Sequence, residues 1–122
     1  MTKVVRGAIT APENSPEAIR QSCHRLLVEI FRRNRVRPRR ILSLLFSVTA
    51  DLTRLNPASA ARELGLSSVA LFCVQEARID GSLDRVIRVL LTYRGSSLRK
   101  PVPVYLEGAR ALRPDLAEAV EQ

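Results

Sequence analysis

Residues 15–48 read SPEAIRQSCHRLLVEIFRRNRVRPRRILSLLFSV, and the two halves of this stretch set the fold class. Ser15-Pro16-Glu17 is a helix start. The serine can accept from the free N–H groups, proline lacks the N–H that would go unpaired there anyway, and an acid suits the positive end of the dipole. Apolar residues then recur at Ile19, Cys23, Leu26, Leu27, Ile30 and Phe31, which is one helical stripe. Arg32 and Arg33 occupy the last turn, where cations are favoured, and Asn34 ends the helix. After Pro38 the period changes. Residues 41–48 are almost continuously apolar, and such a run predicts a central strand buried on both faces.

Working outward, residues 3–9 are β-branched and apolar and read as a strand, followed by a polar turn with Pro12 and Asn14. Downstream, 49–56 is a loop. Asn56-Pro57 repeats the cap-then-proline signal and opens a short helix to Leu64, stopped by Gly65. Strands follow at 69–73, 85–93 and 102–106, with Asp80-Gly81 as a hairpin-type turn. The chain after Leu112-Arg113-Pro114-Asp115 reads as a short terminal turn or helix. The order β-α-β-α-β-β-β predicts an α+β domain, a mixed sheet with one long helix packed on one face and a short second helix. With 122 residues and no repeat, residues 1–122 read as one domain. A chain this small buries only about two-thirds of its unfolded surface, so a deep pocket favours an oligomer.

Composition excludes several classes. No apolar run approaches the ~20 residues of a membrane span, and residues 1–8 lack the apolar core of a secretory signal. Cys23 and Cys73 lack metal-like spacing and read as reduced thiols in a cytoplasmic protein. His24 is the one histidine, which argues against a His-based triad or a zinc site; no metal and no cofactor is expected. The net charge is +8, and Arg32, Arg33, Arg35, Arg37, Arg39 and Arg40 carry most of that excess within one short tract. That tract admits phosphate contacts to nucleic acid, docking of an acidic partner, or a solvated basic face. Aromatic residues are 4% of the chain and only Phe31 adjoins the tract, which disfavours nucleic acid and favours the solvated face.

Three charges interrupt apolar strands: Arg6, Arg88 and, just past a strand end, Glu76. A charge there is costly unless it is solvated, paired or bound. The residues alone leave two readings, a half-exposed face or a pocket for a small oxyanion that carries a hydroxyl.

The segments around them resemble a known family. Val5-Arg6-Gly7-Ala8-Ile9-Thr10 resembles the opening strand of the AroH class of chorismate mutase, the small trimeric α+β kind. Ser47-Val48-Thr49-Ala50-Asp51-Leu52 looks like its S-x-T-x-D-L, and Pro57-Ala58-Ser59-Ala60-Ala61-Arg62 like its P-A-x-A-x-R helix. Cys73-Val74-Gln75-Glu76, Ile87-Arg88-Val89, Val104-Tyr105-Leu106 and Leu112-Arg113-Pro114-Asp115-Leu116 resemble its later motifs, in order along nearly the whole chain.

The resemblance implies a homotrimer arranged as a pseudo α/β-barrel, with sites between subunits. It implies the rearrangement of chorismate to prephenate in aromatic amino acid biosynthesis, on the shikimate pathway. A pericyclic step within one molecule needs no nucleophile, metal or proton shuttle. It needs a pocket that holds a dicarboxylate in a compact shape and a cation where charge builds on the ether oxygen. By resemblance, Arg88 is that cation, Arg6 holds a carboxylate, and Glu76 accepts from the ring hydroxyl. Tyr105 donates to the enolpyruvyl carboxylate and Cys73 lies on the ring-hydroxyl side. Ala58, Ser59 and Arg62 on the short helix, and Leu112 and Arg113 in the tail, complete the substrate-binding set. The sequence departs from the family at Asn56, where Phe is usual, at Ser59, where Lys is common, and at Phe72, which replaces a smaller residue. These departures keep open a relative acting on another enolpyruvyl or dicarboxylate compound of a secondary pathway. The basic tract, outside the family pattern, keeps open a non-enzymatic module that binds an acidic partner through Arg32 to Arg40.

Overall fold

The computed structural model describes residues 1–115. Its regular elements are β1 (Thr2–Thr10), α1 (Pro16–Asn34), β2 (Ile41–Val48), α2 (Pro57–Arg62), β3 (Ala70–Gln75), β4 (Val86–Arg94) and β5 (Val104–Leu106), with 3-10 segments at Pro38–Arg40 and Glu107–Leu112. The fold is the expected α+β arrangement. The expected terminal turn or helix, apart from its first residues, lies outside the described residues.

α1 begins and ends as its sequence dictates. Ser15 is extended (φ −134°, ψ 155°) and its Oγ accepts from the Ala18 N–H at 3.1 Å. At the other end Asn34 is buried. Its Nδ2 donates to Ile30 O and Val102 O, each at 3.0 Å, and its Oδ1 accepts from Val102 N at 2.6 Å. One side chain thus both caps the helix and fixes the lead-in to β5.

The strands form a single mixed sheet in the order β3-β2-β4-β1-β5. β4 is antiparallel to both neighbours, while β1 with β5 and β2 with β3 are parallel. α1 and α2 cover one face. There Val5, Ile9, Leu44, Phe46, Ile87, Val89 and Leu91 interlock with Ile19, Cys23, Leu26, Leu27 and Ile30 of α1 and with Ala58, Ala60 and Ala61 of α2. A Cβ at Gly7 would stand 2.9 Å from Ile30 Cδ1 and from Val104 O, so only glycine lets α1 and β5 come this close to β1. His24 Nε2 donates to Ala60 O at 2.8 Å and Arg20 Nε to Glu63 at 3.1 Å, which ties α2 to α1.

Two expectations are corrected. β2 is neither the central strand nor buried on both faces: β4 takes the centre, and Leu42 and Leu45 of β2 are exposed. The apolar run is real, but the helices cover only one side of it. Asp80-Gly81 does form a turn, with Gly81 at φ +82°, but not a hairpin. β3 and β4 are not neighbours, because β2 lies between them, so the turn belongs to a long crossing connection.

Candidate active site

The sheet face that the helices leave open carries the predicted charges. Residues paired across a ladder point to the same side. Val74 pairs with Ser47, Ser47 with Arg88, Arg88 with Ala8, and Ala8 with Tyr105. This single row crosses all five strands. In the next row Leu45 and Arg6 flank Leu90. A cleft of about 230 Å³ lies over these rows, lined by Arg6, Leu45, Ser47, Arg88, Leu90 and Tyr105 among others. Glu76, just beyond β3, lines an adjoining cleft of about 300 Å³ formed with the connection 77–84.

Arg88 and Glu76 join the two clefts. Arg88 Nε forms an ion pair with Glu76 Oε1, the two side chains being 42% and 24% exposed. The Nε atom is shielded from solvent without a well-aligned hydrogen bond, so charge attraction dominates the contact. Ser47 Oγ donates to the same carboxylate oxygen at 3.1 Å, and Glu76 N donates to Val48 O at 2.8 Å, which fixes the backbone that carries it. Thr49 and Asp51 set the start of β4. Arg85 N donates to Asp51 Oδ2 at 2.9 Å and Val86 N donates to Thr49 Oγ1 at 3.0 Å. Arg85, at φ +53°, is further held by its Nε on Ala11 O at 3.0 Å. Residues 47–51 therefore place both ends of the Arg88–Glu76 pair. Sequence reasoning assigned Ser47, Thr49 and Asp51 no role. The available signal was the polar residues at the end of an apolar run, but their partners lie on strands whose register the sequence does not report.

The structure brings Arg6, Arg88, Glu76 and Tyr105 together. Tyr105 is buried with Ala8, Val86 and Ala109, and Leu112 packs against the same small cluster. Arg113 donates to Asp115 at 3.1 Å, which raises its pKa, and it lies within electrostatic reach of Tyr105. Cys73 is not brought in. It pairs with Phe46 and packs into the helix-side core, where burial pushes its thiol pKa up. The half-buried Cys73 thiol thus packs against the helix-side core, and its neighbour Val74 faces the cleft. Ala58 is buried and Ser59 half-buried on α2, on the helix side, and Arg62 is exposed at its end. These three lie across the sheet from the cleft of their own chain.

The arrangement defines a class: an α+β protein with a shallow cleft on an open sheet face, where two arginines, a carboxylate and a tyrosine converge. Its chemistry is that of holding a small dianion with a hydroxyl. A family model described as chorismate mutase type I matches residues 2–116, and the chain belongs to that family. It is 41% identical over 121 residues to the chorismate mutase AroH of Thermus thermophilus, covering 98% of this chain and 99% of the relative. To the chorismate mutase AroH of Bacillus subtilis (strain 168) it is 37% identical over 119 residues, covering 96% and 94%. The solved chorismate mutase from Clostridium thermocellum has the same fold, with a TM-score of 0.83 at 36% identity over 88% of this chain and 97% of that one.

Proposed function

We propose that this protein is an isomerase that converts chorismate to prephenate in the biosynthesis of phenylalanine and tyrosine. The reaction is a rearrangement within one molecule. The ether C–O bond breaks as a C–C bond forms, and no proton changes hands. The protein needs only to hold the compact conformer and meet the charge that grows on the ether oxygen. Arg88 is the residue for that charge. Its attraction is worth most in the transition state, so it acts on kcat more than on KM. Arg6 takes one carboxylate in a two-pronged pair, and Tyr105 donates its hydroxyl to the enolpyruvyl carboxylate. Glu76 accepts from the ring hydroxyl and aims Arg88. The observation that carries this reading is the Arg88–Glu76 pair on the open face beside Arg6 and Tyr105.

The working form is a homotrimer, a pseudo α/β-barrel with sites between subunits. Support comes from the open face itself. Val4, Leu45, Phe72, Val74 and Leu90 stand there between 41% and 59% exposed, an apolar surface suited to burial against another copy. Ala58, Ser59 and Arg62 then serve the neighbour's cleft, with Arg62 adding a cation at its mouth. Leu112 and Arg113 border the Tyr105 side. Both cysteines are free, as suits a cytoplasmic enzyme. No described helix is long and apolar enough to cross a membrane.

The test follows chorismate absorbance on adding purified protein. The wild type consumes chorismate saturably, and Arg88→Ala lowers kcat by about a thousandfold while remaining folded. An Arg88→Ala variant as fast as the wild type would remove this residue from the reaction. A folded wild type without turnover would contradict the function.

A further inference from the structure

A second set of cations gathers at the opposite end of the sheet. Arg35, Arg37, Arg39, Arg40 and Arg94 line a cleft of about 420 Å³, with Ser96 beside them. Arg94 is six positions along β4 from Arg88, or about 20 Å at the strand rise, so this cleft is separate from the candidate active site. Arg20, Arg25, Arg32 and Arg113 each meet a carboxylate. Among the described residues, none of the five cleft arginines does, and no carboxylate lines the cleft.

Local structure fixes the backbone that carries these exposed arginines. Arg35 ends α1 in the left-handed conformation, φ 51° and ψ 45°, with its N–H on Phe31 O. Glycine is unstrained at such a position, whereas a residue with a Cβ is strained there. Pro38 opens the 3-10 turn that carries Arg39 and Arg40, closed by Arg40 N donating to Arg37 O at 2.8 Å. Arg94 comes from β4, opposite Thr2 of β1. Two separate chain segments therefore converge on one concave surface whose charged side chains are all arginines.

We propose that this cleft binds a condensed phosphate, either free triphosphate or the triphosphate end of a nucleotide. A single exposed ion pair is weak, so a singly charged anion gains little here. A ligand that engages several guanidinium groups at once gains from each. Guanidinium forks match phosphate oxygens in pairs. The cleft falls in the size range of small-molecule sites, roughly 300–1,000 Å³. No aromatic side chain lines it, so it offers no stacking platform for bases. That favours a small polyphosphate over single-stranded nucleic acid.

The test is calorimetric titration of the full chain with inorganic triphosphate, ATP, adenosine and citrate, at about 0.15 M ionic strength. Triphosphate is expected to bind once per chain, with citrate far weaker and adenosine silent. ATP binding as tightly as triphosphate identifies the phosphates as the recognised group. ATP binding much more tightly identifies a nucleotide. The double variant Arg39→Gln/Arg40→Gln, and separately Arg94→Gln from the other segment, are expected to weaken binding by at least about tenfold. Arg54→Gln, outside the cleft, leaves it unchanged. Chorismate turnover by the cleft variants stays at the wild-type rate, which shows that they fold. The proposal is overturned if triphosphate does not bind, if citrate binds equally well, or if Arg94→Gln has no effect. It is also overturned if an oligoribonucleotide binds more tightly and excludes triphosphate. Because binding is read without chorismate, failure here is distinct from failure of the mutase reading.

Discussion

The two faces of the sheet are built from the same strands, yet they are finished differently. On the helix side, alternate residues such as Phe46, Leu91 and Ile87 are fully buried under α1 and α2. On the other side Leu45, Leu90 and Phe72 are just as apolar and stand uncovered, interrupted by Arg6, Ser47 and Arg88. The first face is a core that the chain completes for itself. The second is open in the single chain, apolar over much of its area and charged at Arg6 and Arg88, as the proposed interface and ligand site require. Hydrophobicity along a strand thus does not report whether its own chain covers a residue.

Truncation on each face separates the two kinds of burial. Phe46→Ala on the closed face should cost about 3–5 kcal/mol of unfolding free energy, read by urea denaturation. Leu90→Glu on the open face should leave the fold of the single chain intact and abolish self-association, read by sedimentation. A Leu90→Glu protein that stays trimeric would remove the open face from the interface.

A smaller effect is expected at Ser47, whose hydroxyl donates to Glu76 and acts through it. Ser47→Ala should lower kcat by about tenfold, the worth of a hydrogen bond to a charged group, with KM nearly unchanged. Ser47→Thr, which keeps the hydroxyl, should restore most of the rate. A shift in KM alone would mean that Ser47 shapes binding rather than the aim of the pair.

The smallest effect lies far from the site. Hydrogen bonds from Arg32, with further help from Arg33, hold the Glu29 carboxyl down at about 2 against its burial. A folded pKa below the unfolded one means stability that is present above about pH 4.5 and is lost as the pH falls towards 2. The pair is partly solvated, so the gain is under about 1 kcal/mol. Glu29→Gln should flatten that part of the pH–stability curve and leave neutral-pH turnover alone.

Much of this was legible in the sequence, for reasons tied to local chemistry. α1 could be read because Ser15, Pro16 and the Ile19-to-Phe31 stripe all act within a few residues of one another. Arg6 and Arg88 stood out because a charge in an apolar strand demands a partner. Glu76 could be grouped with them as a third such charge, but its part in placing Arg88 came only from the family resemblance, since β2 separates its strand from β4. Three matters were not legible. Asp80-Gly81 has hairpin turn chemistry, but a turn does not report which strands lie beside it. Cys73 is one residue out of phase with Val74, and the face a strand residue takes depends on register with β2. Ser47, Thr49 and Asp51 act across 29 to 37 residues of chain, on a carboxylate and on backbone N–H groups that only the sheet brings near.

The central claim is that the open face is one half of a site and that α2 of a neighbour supplies the other. Mixing two crippled variants, Arg88→Gln and Arg62→Gln, under conditions of subunit exchange tests it most directly. Each alone should be slow. If the site lies between subunits, random mixing leaves about a quarter of the sites with both native arginines, and chorismate turnover should rise to that fraction of the wild-type rate. Turnover that stays at the average of the two variants, or an Arg62→Gln protein that is fully active alone, would contradict the account.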